Sequence, residues 1–151
     1  MQLSYDAVCF DLFGTLVHPD GAAVDGAIEA LRLLPSARWA IVTSCGSVYA
    51  RTLLASAGLP LPPVLISADD VTRGKPAPEP YERGARALGY DRVLVVEDSR
   101  DGIAAGRAAG LDVLAILRGR GLNFARAASF QVERFSDITW RSEADAIVLT
   151  I

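Results

Sequence analysis

Asp11 follows the apolar run Ala7–Phe10 and leads straight into a tight turn made by Gly14 and Thr15. A carboxylate at the carboxyl end of a strand stands where open α/β sheets bind their ligands. Three later segments end in a similar way. The run Ala40-Ile41-Val42 closes on two hydroxyls, Thr43 and Ser44, followed by Gly46 and a helix start. Hydroxyls, free loop N–H groups and the positive end of a helix together suit an anion. Arg73-Gly74-Lys75-Pro76-Ala77-Pro78 sets a lysine in a loop stiffened by prolines. Val93–Val96 runs into the adjacent carboxylates Glu97 and Asp98, and two acids after four apolar residues favour a metal over a simple helix cap. Each group also has a plain structural use: Asp11 as a turn residue, Thr43 and Ser44 as a helix entry, Lys75 as a solvated loop lysine. Against that stands the usage of bases. Of 15 basic residues, Lys75 is the only lysine, and a compact ammonium does not substitute for a planar guanidinium.

The elements that must position these groups are legible as alternation. Short β-branched runs at Ala7–Phe10, Trp39–Thr43, Val64–Ser67, Val93–Glu97 and Val113–Leu117 alternate with helical patterns, which predicts a parallel sheet flanked by helices. Helices are expected over 25–34 with Asp25 as cap, 47–57 ending at Gly58, 79–88 ending at Gly89, and 100–109 ending at Gly110. Pro80, near the start of the third, loses no needed hydrogen bond there. Beyond Leu117 a short helix at 122–128, an edge strand at Phe130–Val132, and a β-hairpin from Ile138–Trp140 and Ala146–Ile151 complete the chain. No repeat or linker divides it, so one domain over 1–151 is expected, with a core over 5–119 and the edge strand and hairpin over 120–151.

Bulk properties narrow the class further. With 51% hydrophobic residues and no low-complexity tract, the chain has the makings of a packed core rather than disorder. Its apolar runs are too short and too often interrupted by charge to span a membrane. Residues 1–10 lack the features of a signal peptide, so a cytoplasmic location is expected. A net charge of −3 gives no footprint for nucleic acid or anionic membrane. Cys9 and Cys45 lack the spacing of a zinc site and read as two buried small hydrophobes. Monomer and homodimer are left undecided, because the apolar end Ile147–Ile151 could pack on its own domain or on a second subunit.

In their order, Asp11, Thr43, Lys75 and Glu97-Asp98 resemble the four motifs of the haloacid dehalogenase-like hydrolases. The stretch Trp39–Gly119, with Gly-Lys-Pro-Ala-Pro and Glu-Asp-Ser-x-x-Gly, is similar to their sugar-phosphatase and β-phosphoglucomutase branch. The resemblance implies a Rossmann-like fold and a Mg²⁺-dependent phosphomonoester hydrolase acting on a phosphorylated substrate. It assigns Asp11 as the nucleophile that forms an aspartyl-phosphate. Thr43, Ser44 and Gly14 fall at the phosphate, and Lys75 neutralises charge shared by nucleophile and phosphate. Asp11, the Phe13 backbone carbonyl, Asp98 and Glu97 fall at the Mg²⁺.

Two departures qualify this expectation. The family's first motif is usually Asp-x-Asp-Gly-Thr, and Phe13 stands where its second Asp would protonate the leaving group. That help is typically worth about 10²–10⁴-fold, so slow turnover is expected. Phe13 also feeds an alternative, a non-catalytic module that binds phosphate and metal. A second alternative, dehalogenation, fits the aromatic but conflicts with Glu97-Asp98, whose charge repels a carboxylate substrate. His18, seven residues from Asp11, is weighed as a substitute acid and reads more simply as an ordinary exposed histidine. The other departure is the cap: the residues between Leu16 and Thr43 are used up by a flap and one helix, which predicts an open, capless site able to take a bulky phosphoester.

Overall fold

The computed structural model describes residues 1–151 and shows an α/β fold with two sheets. The larger is six-stranded and parallel throughout. Its strands are β2 (Ala7–Phe10), β3 (Trp39–Val42), β4 (Val64–Ile66), β5 (Val93–Glu97), β6 (Asp112–Ile116) and β7 (Phe130–Val132), in the order β4-β3-β2-β5-β6-β7. β2, β3 and β5 are apolar and fully buried, as strands covered on both faces must be. The order reverses at β2, between β3 and β5, so the crevice at their carboxyl ends is the topological switch point.

Alternation along the strands separates two cores. Val8, Phe10, Ile41, Leu94 and Val96 face α1 (Ala27–Leu33) and α2 (Ser47–Ala57). Ala7, Cys9, Ala40, Val42 and Val95 face α3 (Glu79–Leu88) and α4 (Arg100–Ala108). The second sheet lies on the first of these sides. It joins β1 (Gln2–Tyr5), β9 (Ile147–Thr150) and β8 (Thr139–Ser142) in the order β1-β9-β8. Phe10, Phe135 and Trp140 meet there with ring centroids 5.6–6.1 Å apart. Ile147 and Leu149 are fully buried in the same cluster, so the hairpin packs on its own chain. Each such side chain contributes roughly 1.5–3 kcal/mol by leaving water.

The differences from expectation are local. α1 begins at Ala27 rather than 25, and Asp25 does not cap it. Gly26 precedes the helix with φ 84°, a left-handed value that breaks the expected entry. The segment 122–128 contains only a 3-10 turn, Leu122–Ala125. β1 is not foreseen, because its partner β9 lies at the far end of the sequence and pairs Gln2 with Thr150. The link from β2 to β3 holds the Gly14 turn, small bridges joining Val17 to Phe13 and Ala23, α1 and a 3-10 turn. No further domain is inserted there.

Candidate active site

Asp11 leaves β2 with its N–H donated to the Val96 carbonyl, 3.0 Å away. The turn that follows is tied by Gly14 N–H to Val17 O at 2.7 Å and Leu16 N–H to Leu12 O at 2.9 Å. Gly14 has φ 91°, and a Cβ on it would fall 2.3 Å from Asp98 Oδ2. Only glycine lets this turn lie against that carboxylate. Thr15, fully buried, donates its hydroxyl to Asp11 Oδ2 at 3.1 Å and stands 3.4 Å from Asp98 Oδ1. The N–H groups of Leu12 and Phe13 and the N–H of Ser44 have no acceptor within the chain. Such unmet donors around one carboxylate suit an anion's oxygens.

Lys75 reaches the same point from the loop before α3. Its ammonium donates to Asp11 Oδ1 at 2.8 Å, Val42 O at 2.9 Å and Glu97 Oε1 at 2.7 Å. All three of its protons are committed. Burial pulls its pKa down, but Asp11 and Glu97 outweigh burial and hold it above the usual lysine range. The lysine therefore stays charged. Burial, reinforced by the Glu97 carboxylate, pushes Asp11 up to about 7 against the pull of Lys75.

Glu97 and Asp98 have different jobs. Glu97 Oε1 accepts from Lys75 and from the Tyr81 hydroxyl at 2.8 Å, and Oε2 accepts from Asp98 N–H, Ser99 N–H and the Ser99 hydroxyl at 2.9–3.1 Å. Those donors fill a carboxylate's lone pairs. Ser99 meanwhile caps α4 through Gly102 N–H at 3.0 Å. A Cβ on Gly102 would sit 1.7 Å from Glu97 Oε1, so the helix presses directly on this carboxylate. Glu97, expected as a metal ligand, also holds Lys75 in place. Asp98 faces Arg118 Nη1 at 3.2 Å and Arg120 Nη2 at 3.5 Å. Both guanidinium groups are partly exposed (35%), and neither encloses the carboxylate.

Oxygen atoms of Asp11, Glu97 and Asp98 lie within 4.8 Å of one another. Glu97 accepts five donors, whereas Asp11 and Asp98 each keep lone pairs beyond their contacts with Lys75, Thr15, Arg118 and Arg120, and no backbone N–H reaches the Phe13 carbonyl. All are hard oxygen donors, a set that fits Mg²⁺ with retained waters.

Above these groups opens a cleft of about 680 Å³. It is lined by Asp11, Phe13, Thr43, Ser44 and Lys75 together with Arg100, Asp101, Arg120 and Phe124. Thr43 is buried, and its hydroxyl accepts Cys45 N–H at 3.2 Å, leaving its own proton free. The α2 amino terminus, expected to serve the anion, is already partly engaged, since Asp69 accepts Ser47 N–H at 2.8 Å. Phe13 is 41% exposed and lines the cleft beside Asp11. Cys9 is buried and its thiol pushed up to about 12 by burial, whereas Cys45 lines the cleft and is half-buried, not buried as expected. His18 lines a different cavity of about 440 Å³, beside Gly14, Arg118 and Glu133, and does not share the cleft with Asp11. Tyr81, Arg118 and Arg120 are the contributors that the sequence did not single out, and Thr15, expected only as a turn residue, also bonds Asp11.

A family model described as "Hydrolase: haloacid dehalogenase-like hydrolase" matches residues 20–110. The chain belongs to the haloacid dehalogenase-like hydrolases. Glycerol-1-phosphate phosphohydrolase 2 of Saccharomyces cerevisiae is 38% identical over 115 residues, covering 68% of this chain and 46% of that protein. Validoxylamine A 7'-phosphate phosphatase of Streptomyces hygroscopicus subsp. limoneus is 34% identical over 145 residues, covering 91% and 68%. The chain thus spans about half the length of the first of these relatives. CbbY from Rhodobacter sphaeroides in complex with phosphate superposes with a TM-score of 0.76 at 17% identity, over 88% of this chain and 96% of that one. That likeness concerns the fold. Phe13, two residues after Asp11 and lining the cleft, departs from the Asp-x-Asp-Gly-Thr pattern by putting an aromatic where that pattern has its second acid.

Proposed function

We propose that residues 1–151 act as one domain, a Mg²⁺-dependent phosphomonoester hydrolase that uses Asp11 as nucleophile. The observation that carries the proposal is the Asp11–Lys75–Glu97 chain of short ionic contacts at the switch point, facing the unpartnered N–H groups of Leu12, Phe13 and Ser44. Thr43 and Ser44 bind phosphoryl oxygens, and the free N–H groups receive charge that builds on them. The Asp11 carboxylate attacks phosphorus, the bond to the leaving oxygen breaks, and water then cleaves the aspartyl-phosphate to free phosphate. Lys75 stays protonated throughout, because Glu97 holds it when Asp11 gives up its negative charge. Asp11 and Asp98, with the Phe13 carbonyl, hold the cation. When bound, Mg²⁺ neutralises phosphoryl charge and favours the ionised form of Asp11.

Phe13 supplies no proton to the leaving oxygen, so good leaving groups are favoured. The test is Mg²⁺-dependent hydrolysis of p-nitrophenyl phosphate and of an alkyl phosphate by the native chain, Asp11→Asn and Phe13→Asp. Slow native turnover, abolished in Asp11→Asn and raised by about 10²–10⁴-fold for alkyl phosphates in Phe13→Asp, is expected. Turnover that persists in Asp11→Asn overturns the nucleophile. A silent native chain that Phe13→Asp awakens favours the second reading, a binding module on the same scaffold, which the exposed Phe13 ring supports.

A further inference from the structure

The cleft that holds Asp11 is also lined by Arg100 and Arg120, positive charge that the reaction just described does not use. Arg120 is fixed in place: Nε donates to Leu117 O at 2.9 Å, Nη2 to Ile116 O at 3.2 Å, and its guanidinium lies 3.9 Å from the centroid of the Phe124 ring. Nη2 also stands 3.5 Å from Asp98 Oδ2, and Nη1 makes no hydrogen bond within the chain. Arg100 shares the same ring at 5.4 Å. It is the first residue of α4, where the helix dipole opposes a cation, and it has neither an ion pair nor a hydrogen bond within the chain. Arg120 shares the Asp98 carboxylate with Arg118, and Arg100 beside it on the same ring has no counter-charge of its own, so the cluster carries more positive charge than its carboxylate partner offsets. Apart from Asp11, Asp101 is the one carboxylate among the residues lining the cleft, and it sits in the first turn of α4, where the dipole suits it. Phe124, half-buried against the core on the α4 side, keeps the ring in place.

We infer that Arg100, Arg120 and Phe124 form a second anion subsite, so that the substrate is a small phosphomonoester bearing another anionic group, a carboxylate or a second phosphate. The inference rests on the phosphate site proposed above and names the class of molecule it receives. The cleft's volume of about 680 Å³ falls in the usual range for small-molecule sites, about 300–1,000 Å³. A phosphoryl group at Asp11 and a second anion at the arginines would occupy this one cleft. A guanidinium recognises both carboxylate and phosphate through paired N–H donors.

Titration calorimetry with Mg²⁺ and non-hydrolysable ligands tests this without relying on turnover. The ligands are methylphosphonate, 3-phosphonopropionate and propane-1,3-diphosphonate, measured on the native chain, Arg100→Gln, Arg100→Glu and Arg120→Gln. At least one two-anion ligand is expected to bind about tenfold tighter than methylphosphonate, with the Gln variants losing that preference and Arg100→Glu reversing it. Which of the two binds tighter identifies the second group as carboxylate or phosphate. Equal binding of all three ligands overturns the subsite and leaves the phosphate site standing. A preference that survives in every arginine variant also overturns it. No binding of any ligand overturns both readings. Arg100 is exposed, so its replacement leaves the fold intact.

Discussion

Replacing Lys75 with Met removes the one cation that joins two buried carboxylates. The lysine side chain is 5% exposed, and its partners Asp11 and Glu97 are 10% and 0% exposed, so water can do little to compensate. Breaking a buried pair by deleting one partner costs about 3–5 kcal/mol. For a domain of this size each kcal/mol moves Tm by about 2–4 °C, so a drop of about 6–20 °C is expected. The loss also depends on pH. Asp11 is held at about 7 in the folded state, above its ordinary 3.8. A carboxyl raised in this way adds stability that is complete below the unfolded value and is lost as pH rises through about 7. Without Lys75 the folded value climbs further, so the variant loses more at about pH 8.5 than at about pH 5.5. Thermal unfolding followed by circular dichroism at both pH values measures this. A deficit under about 1 kcal/mol, equal at the two pH values, refutes the view that these carboxylates depend on Lys75.

Gly102→Ala should destabilise by about 1–3 kcal/mol, despite alanine's better helix propensity, because its Cβ meets Glu97 Oε1 at 1.7 Å; urea unfolding checks this, and unchanged stability would show that Glu97 has room to move. Arg118→Met should tighten Mg²⁺ binding by about two- to fivefold, since it removes a cation 3.2 Å from Asp98. Calorimetry giving equal or weaker affinity counts against Asp98 as a ligand. In a thiol titration with a disulfide reagent, Cys45 should react in the native state and Cys9 only on unfolding, because Cys9 is buried with its thiol held near 12. Inorganic phosphate should slow the Cys45 reaction, as that residue lines the same cleft as Thr43 and Ser44.

The parts of the site that the sequence showed are those fixed by local chemistry: a carboxylate after a buried strand, a lone lysine among prolines, two acids ending an apolar run. The structure brings Asp11, Lys75, Glu97 and Asp98 into one cluster. The division of labour between Glu97 and Asp98 was within reach as well. Neighbours on a strand point to opposite faces, so Glu97 follows Val93 and Val95 toward Tyr81 while Asp98 turns away. Other features depend on contacts between distant segments. Tyr81 reads as an ordinary core aromatic until its hydroxyl is seen on Glu97. Arg118 and Arg120 cannot be told from the other arginines before the loop after β6 folds back over Asp98. The same holds for Asp69, which caps α2 from 22 residues away.

The small antiparallel sheet has a consequence for the order of assembly. β1 pairs only with β9, whose residues 147–150 are synthesised about 140 residues after it. At about 5–20 residues per second, the ribosome takes on the order of 10–30 s to deliver the partner of Gln2–Tyr5. During that interval Phe10, at the centre of the parallel sheet, lacks the Trp140 and Leu149 side chains that cover it in the finished protein. Closure of this sheet is a late, long-range step, and the nascent chain presents an unpaired edge beside an uncovered aromatic until it is complete.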